Sequence, residues 1–300
     1  MSQLERELEA RFGARLEVNR QLADLTSFRI GGPADLYLSV ESEPELAAAM
    51  AAAGRAGVPS FCLGAGTNLL VSDRGVRGLV IRLGEGFKKI IIDGVRVTAG
   101  AAADFGRLVE TVVAHGLGGL EFGEGIPGTV GGGLVMNAGA FGGEITRVVR
   151  LVHGVTREGE ARALSRDEVK FAYRRTELSP GFVITRVDFE LWPGDRDELL
   201  ARIAGLRAKR ASRQPRGLPN AGSIFKNPPG DFAGRLLEGA GLKGARRVGA
   251  VFPDQHANFI VNLGGARAAD VRALMELARV KVKEHSGVWL DPEVKLIGDW

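Results

Sequence analysis

Two glycine-rich stretches are the most chemically suggestive features of this 300-residue sequence. The first, LGAGTNLL at 63–70, places a Gly-x-Gly turn directly after the strand-like SFC. Such a turn lets the backbone approach a ligand closely and points successive amides at an anion. The second, at 119–145, has ten glycines in 27 residues, interspersed with apolar side chains. Because backbone with few side chains can wrap a large flat ligand, the two loops together favour a dinucleotide cofactor over a lone phosphate.

Neither stretch is a standard nucleotide-binding motif. The Rossmann fingerprint needs a third glycine at position 69, which is Leu, and the following VSDRGVRG breaks any helix. A P-loop is excluded because no Gly-Lys-Ser/Thr follows either stretch. A purely structural turn stays open as the alternative for both.

Three polar side chains elsewhere could carry chemistry, although their residue types alone do not assign it. Arg174 in AYRR offers a planar, permanently charged guanidinium, Ser223 follows a glycine in NAGSIFKNP, and Glu293 lies in DPEVKLIG. Each has an ordinary explanation: a surface cation, a turn serine and a solvated carboxylate at the start of a strand. The four histidines and one cysteine show no ligand spacing, so no metal site is predicted.

The composition limits the class of protein. With 45% hydrophobic and 25% charged residues the chain is typical of globular proteins, in one large domain or two to three smaller ones. A net charge of +4 gives no basic stripe, so no nucleic-acid partner is predicted. No run of 18 apolar residues occurs, and the amino terminus is charged, so neither a membrane span nor a secretory signal is expected. The single cysteine, Cys62, fits a reducing cytoplasm.

The elements that must position these residues alternate between helix and strand. A helix is expected over 2–18 and another over 42–56, where Ser42 is the cap and Pro44 the first-turn proline. Asp93-Gly94 between two β-type runs predicts a hairpin. Further helices are predicted over 104–115, 195–213, 232–239 and 268–285, and strands over 34–40, 58–64, 77–83, 148–153, 182–191 and 258–262.

Eight segments in order resemble the UDP-N-acetylenolpyruvoylglucosamine reductases of bacterial peptidoglycan synthesis. They are SFRIGGPADL, LGAGTNLLVSD, GIPGTVGGGLVMNAGAFGGEI, FAYRRTEL, NAGSIFKNP, AGLKG, HANFIVN and DPEVKLIG, and they cover about 26–298. One such motif is modest evidence, whereas eight in register are highly specific.

The resemblance implies an α+β fold. An FAD-binding region of the vanillyl-alcohol-oxidase/PCMH type is expected over 1–205, in subdomains 1–83 and 84–205, followed by an α+β substrate-binding domain over 206–300. First-type members carry an extra loop with a substrate-binding tyrosine. Here the only tyrosines are Tyr37 and Tyr173, and no insertion follows FAYRRTEL. The sequence therefore resembles the second type, which lacks that loop.

The resemblance also implies an activity. NADPH reduces FAD, reduced flavin N5 passes hydride to C3 of UDP-N-acetylglucosamine enolpyruvate, and protonation at C2 gives UDP-N-acetylmuramate. Carried over by motif, Arg174 stabilises the enolate, Ser223 donates the proton, and Glu293 orients or stabilises the C2 centre. The substrate-binding residues implied are Tyr173, Lys226 and Asn227. The implied FAD contacts are Leu63, Gly64, Ala65, Gly66, Thr67, Asn68, Ile126, Pro127, Gly128, Thr129, Gly131, Gly132, Asn137 and Ala138.

Other expectations complete the prediction. FAD is expected to be noncovalent, since neither glycine stretch contains His or Cys, although Cys62 precedes the first. The enzyme is expected to be a cytoplasmic monomer. His256 and Asn258 lie in a matched motif without an assigned role, and a packed, hydrogen-bonded histidine is the expectation. The basic helix over 195–213 is interpreted as a solvated face, with an added field at the diphosphate as the alternative.

Three other functions compete with this interpretation. A different PCMH-type flavin oxidase acting on an alcohol or lactone would consume O₂ rapidly. A non-catalytic UDP-sugar-binding protein would show no absorbance near 450 nm. A nucleic-acid binder ranks third among these alternatives, because the basic residues lack the interleaved aromatic side chains on which bases stack.

Overall fold

The computed structural model of the protein describes residues 2–215 and 217–300. Met1 of the predicted 1–205 region and Arg216 of the predicted 206–300 domain lie outside the described residues. The helices are α1 (Gln3–Phe12), α2 (Glu43–Arg55), α3 (Phe105–Ala114), α4 (Val130–Val135), α5 (Arg196–Arg213), α6 (Ala233–Gly239) and α7 (Ala268–Ser286). None of the helices in those two ranges is long and apolar enough to cross a bilayer.

The strands are short in the glycine-rich parts and longer elsewhere. They are β1 (Leu16–Gln21), β2 (Pro33–Val40), β3 (Ser60–Cys62), β4 (Leu69–Val71), β5 (Val76–Leu83), β6 (Ile90–Asp93), β7 (Arg96–Gly100), β8 (Leu117–Gly118), β9 (Gly139–Ala140), β10 (Gly143–Glu144), β11 (Val149–Val155), β12 (Ala161–Ser165), β13 (Lys170–Ala172), β14 (Arg175–Glu177), β15 (Val183–Glu190), β16 (Trp192–Pro193), β17 (Arg246–Arg247), β18 (Ala250–Val251), β19 (Val261–Asn262) and β20 (Lys295–Ile297).

Contacts divide the described residues into two units. The first comprises 2–18, 36–65 and 78–209, and the second comprises 19–35, 66–77 and 210–300. The expected boundary at 205/206 and the break at 209/210 both fall within α5. The second unit, however, includes two stretches from the amino-terminal part, because their apolar residues are buried with the carboxy-terminal helices.

The first unit contains the five-stranded antiparallel sheet β12-β11-β15-β7-β6 and the two-stranded antiparallel sheets β8-β16, β9-β10 and β13-β14. It also contains residues 16–18, 36–40, 60–62 and 78–83 of the four-stranded sheet β1-β2-β5-β3, in which β3 and β5 are parallel. In the β6–β7 hairpin Asp93 is paired with Arg96, so the hairpin predicted at Asp93-Gly94 is confirmed. The core between these elements is fully buried at residues such as Leu38, Val97 and Leu108.

Capping residues explain where the helices of the first unit begin. Ser2 and Glu5 form a reciprocal capping box at α1, and the Asp104 carboxylate accepts a bond from Arg107 N at 2.7 Å at α3. The helix predicted over 2–18 is wrong beyond Phe12. Gly13 adopts φ +54° there, and after a single 3₁₀ turn the chain becomes β1.

The second unit packs α6 and α7 with the small antiparallel sheet β17-β18-β19 and the parallel pair β4–β20. The two oxygens of Asp73 accept bonds from the Ala268 and Ala269 amides at 2.8 and 3.0 Å, which satisfies the first turn of α7. The strand predicted over 258–262 is limited to Val261–Asn262, because Asn258 bonds a neighbouring segment instead of a ladder partner.

Candidate active site

The first glycine stretch turns sharply at Gly66. This residue has φ +66°, and a β-carbon on it would lie 2.4 Å from the Leu25 carbonyl oxygen. In the same unit Ser27 fixes the turn, since its amide donates to Gly66 O at 3.1 Å and its hydroxyl donates to Asn220 O at 2.6 Å. Only glycine fits this position without moving the neighbouring backbone.

The second glycine stretch packs against the turn that precedes α3. Val130 N donates to Ala103 O and Gly131 N donates to Ala101 O, each at 2.9 Å. Thr129 caps α4, because its Oγ1 accepts a bond from Gly132 N at 3.2 Å. These bonds give the glycine-rich backbone a defined path, which a flexible linker would not have.

Within the first unit the two stretches meet. A β-carbon on Gly64 would lie 3.0 Å from Oγ1 of Thr129. In the described part of the chain no acceptor receives the backbone N–H groups of Gly64, Ala65, Gly128 and Thr129. Such clustered amide donors suit a diphosphate, so the residues present fit the diphosphate of a dinucleotide cofactor.

A hairpin formed by β13 and β14 carries Arg174 at its two-residue turn. Arg174 has φ +55°, an uncommon backbone conformation for a non-glycine residue. Its guanidinium lies 4.9 Å from the centroid of the Tyr173 ring. A β-carbon on Gly139 would lie 3.2 Å from Nη1 of Arg174, so the guanidinium lies against the second glycine stretch.

Two hydrogen bonds fasten this hairpin to the second glycine stretch. The Asn137 Nδ2 group donates to Ala172 O at 3.1 Å, and the Thr176 hydroxyl donates to Leu134 O at 2.6 Å. Asn137 is 1% exposed and its Nδ2 also reaches the Glu144 carboxylate at 3.2 Å. No local sequence signal predicted this link, because the turn has none of the usual Gly, Asn or Asp residues.

In the second unit, the segment after Ser223 pairs with the segment that carries Glu293. Glu293 N donates to Ile224 O at 2.8 Å, and Lys226 N donates to Asp291 O at 2.9 Å. The two predicted catalytic residues thus belong to adjacent paired segments. The structure brings them together in one unit, while Arg174 belongs to the other.

Asn68 links the first glycine stretch to Glu293 within the second unit. Its Nδ2 donates to Glu293 O at 3.2 Å, and its own carbonyl accepts a bond from Lys295 N at 2.9 Å. The side chains of Asn68 and Asn137, both predicted FAD contacts, therefore bond protein groups.

The predicted substrate residues lie close to α6 in sequence. Oδ1 of Asn227 accepts a bond from Ala233 N at 3.0 Å, the first amide of that helix. Lys226 is partly buried and Asn227 is exposed. The Asn227 side chain thus caps the start of α6 through its oxygen.

The basic helix α5 is not simply a solvated face. Arg202 lies 3.3 Å from the Glu121 carboxylate, and Arg207 donates to the Glu124 carboxylate at 2.8 Å. Both carboxylates are buried, and Glu121 also accepts a bond from Gly119 N at 2.5 Å. These arginines thus neutralise buried acids at the start of the second glycine stretch.

Two of the histidines, His256 and His153, and the cysteine have surroundings that fit a structural role. Nδ1 of His256 accepts a bond from Asn258 N at 3.1 Å, and burial lowers the pKa of this imidazole, which confirms the expected packed histidine. His153 lies 2.8 Å from Asp188. Burial raises the pKa of the Cys62 thiol to about 12. Over the described ranges no group of three or more His, Cys, Asp or Glu side chains could hold a metal ion.

Comparisons with known proteins identify the family of this chain. The family model described as UDP-N-acetylenolpyruvoylglucosamine reductase, C-terminal domain, matches 214–297, and the model described as FAD binding domain matches 34–165. A UDP-N-acetylenolpyruvoylglucosamine reductase of Anaeromyxobacter sp. is 47% identical over 98% of this chain and 92% of that protein. The enzyme of the same name from Geobacter metallireducens is 44% identical over 98% and 99%.

A solved structure shows the same fold. The crystal structure of UDP-N-acetylenolpyruvylglucosamine reductase (MurB) from Thermus caldophilus superposes with a TM-score of 0.81 at 37% identity, covering 94% of this chain and 98% of that one. The expected α+β class, with an FAD-binding region and a carboxy-terminal α+β domain, is confirmed. The chain belongs to the UDP-N-acetylenolpyruvoylglucosamine reductase family and is a flavin-dependent oxidoreductase of peptidoglycan synthesis.

Proposed function

We propose that this enzyme uses NADPH and noncovalent FAD to reduce UDP-N-acetylglucosamine enolpyruvate to UDP-N-acetylmuramate. The observation that carries the proposal is the attachment of the Arg174 hairpin to the second glycine stretch, through Asn137 and Thr176. That attachment holds a permanent cation beside backbone suited to a dinucleotide. The homologues named for this reaction supply the substrate class.

The backbone amides of Gly64, Ala65, Gly128 and Thr129 would bind the FAD diphosphate. The other predicted contacts at 63–68, 126–132 and 137–138 would surround the rest of the cofactor. Bound FAD supplies the chemistry of taking a hydride from NADPH and delivering it to C3 of the substrate. Since the Cys62 thiol has a raised pKa, it stays protonated near neutral pH and does not favour a covalent link to flavin.

Arg174 would stabilise the charge that reduction creates. Hydride addition at C3 places negative charge on C2 and on the adjacent carboxylate oxygens. A guanidinium offers a planar pair of donors to such oxygens, and its turn is already fixed by the bonds of Asn137 and Thr176. Tyr173 would keep the guanidinium in place through its ring.

Ser223 would deliver the proton to C2, and Glu293 would orient that centre. A serine hydroxyl is a weak acid, so it needs neighbouring groups that stabilise its alkoxide. Glu293 lies on the segment paired with the one after Ser223, which supports a shared role. Lys226 and the Nδ2 group of Asn227 would bind the substrate diphosphate. We also propose that the enzyme works as a cytoplasmic monomer, as the family resemblance implies.

The test separates the two half-reactions by stopped-flow absorbance near 450 nm. Wild-type protein should be yellow, bleach with NADPH under anaerobic conditions, and recover its colour on addition of the enolpyruvyl sugar nucleotide. Ser223→Ala should bleach at a rate near wild type and recover more slowly by roughly 10²–10⁴-fold, which is the usual contribution of a positioned proton donor.

Four results of these measurements would contradict parts of the proposal. Protein that stays colourless after incubation with FAD would exclude flavin chemistry. Rapid reoxidation by O₂, with none by the substrate, would favour an oxidase. Equal recovery in wild type and Ser223→Ala would remove the proton-donor role. Acid precipitation should release the flavin into the supernatant, and flavin retained in the pellet would show a covalent link.

A further inference from the structure

Asn258 holds the chain segment that follows Ser223. Its carbonyl accepts a bond from Ile224 N at 2.9 Å. Its side-chain Oδ1 accepts from Phe225 N at 2.9 Å, and its Nδ2 donates to Phe225 O at 2.8 Å. A single buried side chain thus satisfies both backbone polar groups of Phe225, as a neighbouring strand would.

The opposite edge of the same segment is also held. Ile224 O accepts a bond from Glu293 N, and Lys226 N donates to Asp291 O. The residues after Ser223 therefore lie between Asn258 on one side and the Glu293 segment on the other. The residue before Ser223 is Gly222 at φ +72°, whose amide donates to Oδ1 of Asn220 at 2.9 Å, so Asn220 holds the upstream side of Ser223 while Asn258 and the Glu293 segment hold the downstream side.

A second buried asparagine in the same unit provides a comparison. Asn262 donates through Nδ2 to Phe28 O at 3.1 Å, and its Oδ1 accepts a bond from Gly264 N at 2.9 Å. It has the same chemistry and nearly the same burial as Asn258, at 8% against 4% exposed. Its side chain bonds neither the Ser223 segment nor the Glu293 segment.

We infer that Asn258 is a positioning residue that sets the proton-donating hydroxyl of Ser223 against C2 of the substrate. The inference rests on the proposed function. Asn258 acts on the reaction indirectly, and its effect passes through the backbone of Ile224 and Phe225. Loss of its amide should therefore impair the substrate half-reaction and spare the NADPH half-reaction.

The test compares Asn258→Ala and Asn258→Asp with Asn262→Ala, each as FAD-loaded full-length protein. Bleaching by NADPH should stay within about twofold of wild type in all three. Recovery with the enolpyruvyl sugar nucleotide should slow by about 100-fold in Asn258→Ala, because a misplacement near 1 Å costs that order of rate. In Asn262→Ala both rates should stay near those of wild type.

Asn258→Asp adds a pH readout. The ionised carboxylate of this variant can accept from Phe225 N but presents an oxygen to Phe225 O, where a donor is needed. A protonated carboxyl group restores that donor. Recovery in this variant, divided by the wild-type rate at the same pH, should therefore rise as pH falls. A merely structural defect would leave that ratio independent of pH.

The outcomes separate this inference from the proposed function. If Ser223→Ala recovers at the wild-type rate, the proton-donor assignment in the proposed function fails. If Ser223→Ala is slow while Asn258→Ala recovers normally, the positioning role is overturned and the proposed function stands. Equal slowing of both half-reactions in Asn258→Ala would also overturn it. If Asn258→Ala does not fold, the pH ratio of Asn258→Asp decides, and a flat ratio overturns the inference.

Discussion

Three asparagine side chains replace backbone hydrogen bonds next to predicted site residues. Asn137 joins the second glycine stretch to the Arg174 hairpin, Asn68 joins the first stretch to Glu293, and Asn258 joins the Ser223 segment to its neighbours. An amide carries both a donor and an acceptor, so it can satisfy irregular backbone where no strand lies alongside. Replacing one of these asparagines with Asp would remove the hydrogen-bond donor, and replacing it with Ala would remove both the donor and the acceptor.

Gly66→Ala should weaken FAD binding and destabilise the protein. The φ of +66° costs alanine about 1–2 kcal/mol. In addition, its β-carbon would lie 2.4 Å from Leu25 O, so the turn would have to move. Thermal unfolding and titration of flavin fluorescence measure the two effects.

Gly205→Ala is the matched control for that substitution. Gly205 lies inside α5, and a β-carbon there meets nothing within 4 Å. This variant should keep wild-type FAD affinity and gain about 0.5–1 kcal/mol from helix propensity. Wild-type stability and FAD affinity in Gly66→Ala would contradict the role assigned to the turn.

Local signals in the sequence predicted the elements that have strong start and stop residues. Helices α2 and α3 follow Ser42 and Asp104, whose side chains cap them in the structure. The hairpin of β13 and β14 was missed, since its turn is Tyr173-Arg174 and its φ of +55° at arginine is set by tertiary bonds. The strand and turn propensities of these residues do not reflect such tertiary hydrogen bonds. The local sequence therefore could not predict this hairpin.

The family resemblance predicted the site residues, but it did not predict that the segments carrying Ser223 and Glu293 pair with each other. Motif order placed Ser223 and Glu293 in the carboxy-terminal part but could not show that their segments pair. Pairing of segments about 70 residues apart depends on the packing of the whole unit rather than on local spacing. The side-chain hydrogen bonds of Asn68 and Asn137 were not predicted, for the same reason.

Glu45→Gln should lower stability in a pH-dependent way. Arg15 donates two hydrogen bonds to Glu45 at 2.7 and 2.8 Å, and this pair, with a bond from Glu41 N, lowers the pKa of Glu45 to about 2. The folded state thus binds fewer protons than the unfolded state between about pH 2 and 4.5. The stabilisation is complete above pH 4.5 and is lost as pH falls toward 2.

Thermal unfolding of both proteins across this range checks the prediction. At pH 7 the unfolding temperature of the variant should be about 2–4 °C lower than that of the wild type. This shift corresponds to a loss of about 1 kcal/mol in the free energy of unfolding, which is small because solvent screens the partly exposed Arg15. The difference should shrink below pH 4.5. Glu9→Gln, at an exposed position of α1, should change the unfolding temperature little at any pH. A difference that stays constant down to pH 2.5 would contradict the assigned pair.

At the scale of the molecule, the second unit is built from three separate stretches of chain. Its buried cluster combines Phe28, Ile30 and Leu70 from the amino-terminal part with residues such as Phe225 and Leu290. The carboxy-terminal family match begins only at residue 214. The region recognised by sequence is therefore smaller than the unit that packs together.

A fragment of residues 206–300 should not fold alone. It lacks three apolar residues of its own core and the Asp73 carboxylate that bonds the first amides of α7. Removing each large core side chain costs about 2–5 kcal/mol, and the total exceeds the stability of a small domain. Circular dichroism should show no cooperative thermal transition, with the full chain as the control. A cooperative transition would contradict this expectation.

The composition of that unit also affects how the chain is made. Ser27 bonds Asn220, and Phe28 bonds Asn262, across sequence separations of 193 and 234 residues. At about 5–20 residues per second, a translating ribosome needs roughly 10–50 s to supply these partners. During that interval Phe28, Ile30 and Leu70 lack the carboxy-terminal part of their core. The nascent polypeptide therefore completes this unit only after the residues around Asn220 and Asn262 have been made, and until then those apolar side chains cannot be fully buried.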